Sequence, residues 1–278
     1  MKTMRKSLTA LILWFLFESI AVSLWLTMDN PFYLFNFSYI GTCLALGIFL
    51  YTKKLKYARN MVQFAVGLYI LFYLGIFSKE NMQIEGFWYY LFLGVFEAAV
   101  IHYAVAKLFG PLFFGRGWCG YACWTAMVLD LLPYKIPDRP RKKLGFLRYI
   151  TFALSLLFVT LLFLTGVPEK DKIIYRSFLI GNLLYYTAGI LLAFLYRDNR
   201  AFCKYICPVT VFLKPASYFS LLRIKNDKTK CVSCGRCRKI CPMNVDMTDN
   251  ARRRRNGTEC ILCLQCIEEC PRKALYLS

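Results

Sequence analysis

The chain alternates long apolar runs with short basic loops. Six runs approach the roughly 20 residues an α-helix needs to cross a hydrocarbon core, at 8–27, 32–52, 60–77, 87–109, 149–167 and 178–196. Lys2, Arg5 and Lys6 precede the first run. It resembles a signal peptide but is long and lacks a small-x-small cleavage site, so it is read as an uncleaved span with its N-terminus inside. Lys53, Lys54, Lys56 and Arg59 follow the second run, and Lys135, Arg139, Arg141, Lys142, Lys143 and Arg148 follow the fourth. The stretches at 29–30, 79–86 and 169–176 are short and less basic, which places them outside and both termini in the cytoplasm.

With 58% hydrophobic and 17% aromatic residues, the 278-residue chain reads as a multi-pass membrane protein with a small soluble appendage. The formal charge of +20 lies largely in loops between apolar runs. That points to contact with membrane lipid and to topology, and no nucleic-acid partner is expected. Arg252 to Arg255 form a polar block read as a solvated insertion, or as a docking patch for anionic lipid or an acidic redox partner.

Twelve of the thirteen cysteines fall in metal-type spacings. Cys231, Cys234, Cys237 and Cys241 form a C-x2-C-x2-C-x3-C-P run, and Cys260, Cys263, Cys266 and Cys270 repeat it, with Pro242 and Pro271 closing the two. This is the bacterial ferredoxin signature. Three thiolates on one tight loop take three corners of a cubane, and the fourth arrives from elsewhere. In two-cluster ferredoxins that fourth cysteine ligates the other cluster. One [4Fe-4S] cluster is therefore assigned to Cys231, Cys234, Cys237 and Cys270, and the second to Cys260, Cys263, Cys266 and Cys241. Zinc knuckles and disulfide scaffolds fit the doubled spacing less well. Cluster ligands must stay reduced, which independently puts this side in the cytoplasm. The leftover Cys43 reads as a small buried hydrophobe.

The expected fold is mainly α: a six-helix transmembrane bundle over 1–222, followed by a cytoplasmic two-cluster ferredoxin module of α+β type over 223–278. Within the bundle, Arg116-Gly-Trp-Cys119-Gly-Tyr-Ala-Cys123 aligns without gaps on Arg200-Ala-Phe-Cys203-Lys-Tyr-Ile-Cys207, giving R-x-aromatic-C-x-Y-x-C twice. Apolar segments at 124–132 and 209–222 follow and are expected along the membrane interface. Span pairs three–four and five–six, each with its motif, thus read as two copies of one unit. Cysteines four apart project to one side, so each motif offers a pair of thiols. Together Cys119, Cys123, Cys203 and Cys207 supply four ligands, for a third iron–sulfur cluster or for a soft metal such as copper. Dithiol chemistry and four plain structural thiols remain as alternatives.

Two C-x3-C motifs at helix ends followed by a two-cluster module resemble the NapH/NosR/CcoG-type membrane polyferredoxins, over 87–278. In that family the motif reads C-x3-C-P, which Cys203 to Pro208 matches in full, whereas Trp124 replaces the proline of the first motif. The resemblance implies electron transfer at the cytoplasmic (inner) membrane, with quinol as donor in one branch and copper reduction in another.

Glu18, Glu97 and the single histidine, His102, are ionisable residues inside the runs, where a charge is costly and functional by default. Quinol oxidation needs proton acceptors beside an apolar pocket, and Glu97 with His102 are the candidates; a polar pair tying helices together is the alternative. The expected function is electron transfer between the membrane, through quinone, and the [4Fe-4S] clusters or a redox partner protein. The rivals are copper handling for metalloenzyme maturation and a passive anchor subunit of a larger complex.

Overall fold

The computed structural model describes residues 2–53, 55, 57–96 and 98–278. Helices α1 (Lys2–Met28) and α2 (Pro31–Thr52) form a hairpin turning at Asp29 and Asn30. Asn30 caps α2 by accepting from the Phe32 N–H at 2.9 Å, and Pro31 occupies the first turn, where its missing N–H is harmless. Glu18 is tied down inside this hairpin, since Ser38 Oγ donates to its Oε2 at 2.6 Å. The Cys43 side chain packs beside the bundle core that the hairpin shares with the next helix.

Helix α3 (Ala58–Leu68) runs on as a π-helical stretch, Tyr69–Phe77. The chain then doubles back and packs within the bundle. Asn81 donates to Ile174 O at 2.9 Å and Ser177 Oγ at 3.2 Å, and Gln83 lies against Gly181, two turns further along the same helix. Asn81, Met82 and Gln83 are all buried. Irregular backbone at membrane depth is tolerated only where protein satisfies it, and the Asn81 side chain does so by also accepting from Gln83 N at 2.9 Å.

Helix α4 (Ile84–Phe92) starts at that depth. Its Trp88 meets Phe152, and its Phe92 meets Phe163 eleven residues later on the same helix, so α4 runs back out. Gly94, at φ +71°, stops it: Gly94 N bonds Leu91 O and Val95 N bonds Tyr90 O, the paired bonds of a Schellman motif. The chain re-enters as α5 (Ala98–Tyr103), a π-helical stretch Ala104–Phe109, and α6 (Gly110–Phe114).

The fourth expected span, 87–109, is therefore divided between the short helix α4 and a separate apolar helix, Ala99–Phe114. Among the described residues five helices are long and apolar enough to cross a membrane, not six: Ala10–Met28, Pro31–Thr52, Ala58–Phe77, Leu147–Leu164 and Lys170–Tyr196.

Short helices α7 (Gly117–Tyr121) and α8 (Trp124–Leu129) follow, then α9 (Leu147–Leu164), α10 (Lys170–Tyr196), α11 (Ala201–Tyr205) and α12 (Thr210–Tyr218). The C-terminal module opens with β1 (Ile224–Asn226) and closes with β2 (Leu275–Leu277), paired antiparallel with Ile224 opposite Leu277. Between them lie α13 (Arg236–Lys239), a 3-10 turn Gly257–Glu259 and α14 (Gln265–Glu268). The module shares one apolar core with the bundle, because Met243, Val245, Ile261 and Leu275 cluster with Leu129, Phe202 and Leu213.

Candidate functional site

The two R-x-aromatic-C motifs fold alike. In each, the arginine precedes a five-residue helix, α7 or α11, closed by the same bonds. Cys123 N reaches Trp118 O at 3.2 Å, and Cys207 N reaches Phe202 O at 3.0 Å. Trp124 in place of proline leaves the first turn unchanged, since the bond that fixes it is made by the cysteine before it. The two pairs are electrostatic neighbours: burial and then Cys119 push the Cys123 thiol up to about 11, and burial and then Cys203 and Cys119 do the same to Cys207.

The arginines stand over this set. Arg200 donates to Cys119 O at 3.1 Å and lies 4.0 Å from Cys203 Sγ, while its other nitrogens clamp Asp130 at 2.7 and 2.6 Å. Arg59 shares Asp130 at 2.8 Å and donates to Gly120 O at 3.0 Å. Arg116 reaches Glu259 and Thr210, each at 3.3 Å.

The ferredoxin module docks directly on the first motif. Tyr121 Oη donates to Leu262 O at 3.0 Å, and a Cβ on Gly120 would overlap Ile261 O, so only glycine admits the 260–263 loop this closely. Behind it, Glu259 is 2% exposed and faces Arg141 at 2.8 Å, Arg148 at 3.1 Å and Arg116 at 3.3 Å. Burial alone would raise its carboxyl, yet the three arginines hold it at about 2. Part of the basic loop after the fourth run thus carries an internal ion network. The arginine block is internal too in part: Arg254 is buried and donates to Ile224 O at 2.7 Å, and Arg252 donates to Tyr218 O at 2.6 Å.

Within the module the cysteines sort into two further sets. Cys260, Cys263 and Cys241 are the charged neighbours of Cys266, while Cys231, Cys234 and Cys270 are those of Cys237. Cys237 is also felt at Cys266, which puts the two sets side by side. Backbone N–H groups of Val245 and Ala274 point at Cys241 and Cys270 Sγ, each at 3.3 Å. Thiol-only quartets with N–H groups aimed at sulfur fit [4Fe-4S] ligation. Among the described residues no three of His, Cys, Asp and Glu gather as on one metal ion.

His102 is buried with Nε2 unpartnered, its ring 5.3 Å from Trp118. Buried Lys107 lies over the same indole, 5.1 Å from its centroid. Glu97 lies outside the described residues. Glu259, Asp130 and Glu85, the last with a shielded and unpartnered Oε2, were not singled out by sequence. Glu259 adjoins Cys260 in a strongly basic chain, and that rarity was its available signal.

Residues 223–271 match the 4Fe-4S dicluster domain family, and 99–146 and 183–226 match a 4Fe-4S binding domain, one stretch around each C-x3-C motif. The chain is 26% identical to an uncharacterized protein of Methanocaldococcus jannaschii over 80% of its own length and 86% of the relative's. A second uncharacterized protein of that organism is 27% identical, over 57% and 75% of the two chains. The methylamine utilization ferredoxin-type protein MauN of Paracoccus denitrificans is 30% identical, over 52% and 54%. No solved structure matches the chain. The chain thus carries a 4Fe-4S dicluster ferredoxin domain and is homologous to a ferredoxin-type protein.

Proposed function

We propose that the protein is a membrane-bound electron carrier whose cysteines would hold three [4Fe-4S] clusters. Cys231, Cys234, Cys237 and Cys270 hold the outermost. Cys260, Cys263, Cys266 and Cys241 hold the middle one, and Cys119, Cys123, Cys203 and Cys207 hold the one at the membrane. Such a cluster supplies one-electron storage when bound; the protein positions it and tunes its potential through charge, hydrogen bonds and burial.

The observation that carries this reading is the seating of the 260–263 loop on Gly120 and Tyr121, which brings the second ferredoxin run against the membrane-end cysteines. Arg116 and Arg200 would offset the charge that four thiolates and an added electron bring. Electrons then pass between a redox partner protein at the exposed first run and a membrane-soluble quinone at the other end. The bundle lies in the cytoplasmic membrane, with the ferredoxin module on the cytoplasmic side, where thiolate ligands stay reduced.

The test is anaerobic iron and acid-sulfide analysis with EPR on the protein and on its Cys119/Cys123/Cys203/Cys207→Ser variant. A fall from about twelve irons to about eight is expected. About eight irons in both would remove the membrane-end cluster.

A further inference from the structure

The start of α4, buried within the bundle, gathers polar atoms that the protein leaves unbonded. Gln83 is 3% exposed with Nε2 unpartnered, and Glu85 Oε2 and Trp88 Nε1 are likewise shielded without partners. Glu85 and Trp88, three apart, share one helix face. Apolar rings surround them: Phe87 stacks on Tyr103 at 4.9 Å, and Trp88 packs against Phe152 at 5.6 Å and Phe212 at 5.7 Å. An unsatisfied donor or carboxylate at this depth is expensive, so such a set is expected to have an occupant. Two N–H donors and one carboxylate among aromatic rings match a planar ring bearing both carbonyl and hydroxyl oxygens.

A second observation ties this place to the redox centres. Tyr103 of α5 has Glu85, Cys207 and Cys123 as electrostatic neighbours, and Tyr185 of α10 has Glu85, Cys207 and Tyr103. Both phenols thus neighbour the Glu85 carboxylate and Cys207 of the membrane-end set. Gln83 approaches the same face of α10, at Gly181, four residues before Tyr185. Toward Glu85, α5 and α10 present these two titratable phenols, whereas α9 and α12 present Phe152 and Phe212 at this end of α4.

We propose that Gln83, Glu85 and Trp88 bind the head group of a membrane-soluble hydroquinone, with Glu85 as the base that takes its protons. This rests on the electron-transfer reading above and gives it a site. The hydroquinone loses two electrons and two protons. The electrons pass singly to the membrane-end cysteine set and leave one on each of two clusters. The protons go one at a time from the two hydroxyls to the Glu85 carboxylate, which releases the first to water before taking the second. The quinone formed keeps two carbonyl oxygens, able to accept from Gln83 Nε2–H and Trp88 Nε1–H.

The test uses the anaerobically prepared full-length holoprotein in lipid vesicles, a short-chain hydroquinone as reductant, and wild type beside Glu85→Gln, Glu85→Asp and Trp88→Phe. Cluster reduction is followed optically and by EPR across pH, with infrared redox difference spectra in the carboxylic-acid region. In Glu85→Gln, iron content and the extent of dithionite reduction should equal wild type. Hydroquinone-driven reduction should slow about 100-fold, with its pH dependence and the acid band both lost. Glu85→Asp should recover part of the rate, and Trp88→Phe should raise the hydroquinone concentration needed.

Wild-type rate and pH profile in Glu85→Gln overturn the site and leave the electron-transfer reading standing. A wild-type protein that hydroquinone does not reduce overturns both. Loss of iron in Glu85→Gln together with wild-type kinetics in Trp88→Phe makes Glu85 structural and likewise ends the proposal.

Discussion

The two ferredoxin runs share one spacing and sit in opposite surroundings. In the first, Cys234 is exposed and Cys231 and Cys237 are half-buried. Hydrogen bonds from Asn226 and Ser233 draw the Cys231 thiol below its ordinary value. In the second, Cys266 is buried against the bundle, and burial followed by Cys241 pushes the Cys260 thiol up to about 12. The motif supplies the ligand geometry; what lies outside the loop decides the use. In the function proposed above, the exposed loop is the one that meets a partner, and the loop sealed against Gly120 and Tyr121 is the one that exchanges electrons with its own chain.

The sealed side is where disruption should cost most. Glu259→Ala removes the common partner of Arg116, Arg141 and Arg148, two of which are 1% exposed. Breaking a buried ion network from one side costs about 3–5 kcal/mol, and the module should loosen from the bundle, read as a lower melting temperature and faster proteolysis at 223–278. The same network predicts acid sensitivity. The Glu259 carboxyl is held at about 2 in the folded protein against an ordinary 4.5. Its contribution is therefore complete above about pH 4.5 and fades as the pH falls toward 2. Glu259→Gln should flatten that part of the pH–stability profile.

Gly120→Ala tests the seal with a smaller change. Its methyl would overlap Ile261 O, so the loop must shift, at about 1–3 kcal/mol. The signals of the first-run cluster should persist while electron exchange with the membrane-end set slows, as rapid-freeze EPR would show. Equal rates in variant and wild type would mean that the contact does not set the transfer distance.

The smallest effect belongs to the open side. Lys228, Arg236, Lys239 and Arg272 are exposed around the first run and give it a basic rim. Arg236→Glu should slow association with an acidic redox protein and weaken its salt dependence, while changing stability by less than about 0.5 kcal/mol.

Much of this was legible in the chain because the signals are local. Three thiolates per loop, a proline after each run and apolar stretches of about 20 residues are set by short-range geometry and by bilayer thickness. The doubled C-x3-C motif was likewise visible, and both copies fold into the same turn. The stretch at 87–109 reads as one span in the sequence, because hydropathy registers an apolar run without registering that Gly94 ends a helix within it.

By itself, then, the sequence determined that the chain is largely membrane-embedded and helical, that twelve cysteines form two ferredoxin runs and two pairs, and that Arg116 and Arg200 are counterparts. Only the tertiary structure decided that the second run rather than the first rests on Gly120 and Tyr121, and that Glu85 Oε2 stands shielded and unpartnered within the bundle. Those outcomes depend on contacts between segments up to 143 residues apart, such as Arg116 with Glu259. Long-range packing chooses among partners that local spacing leaves equivalent.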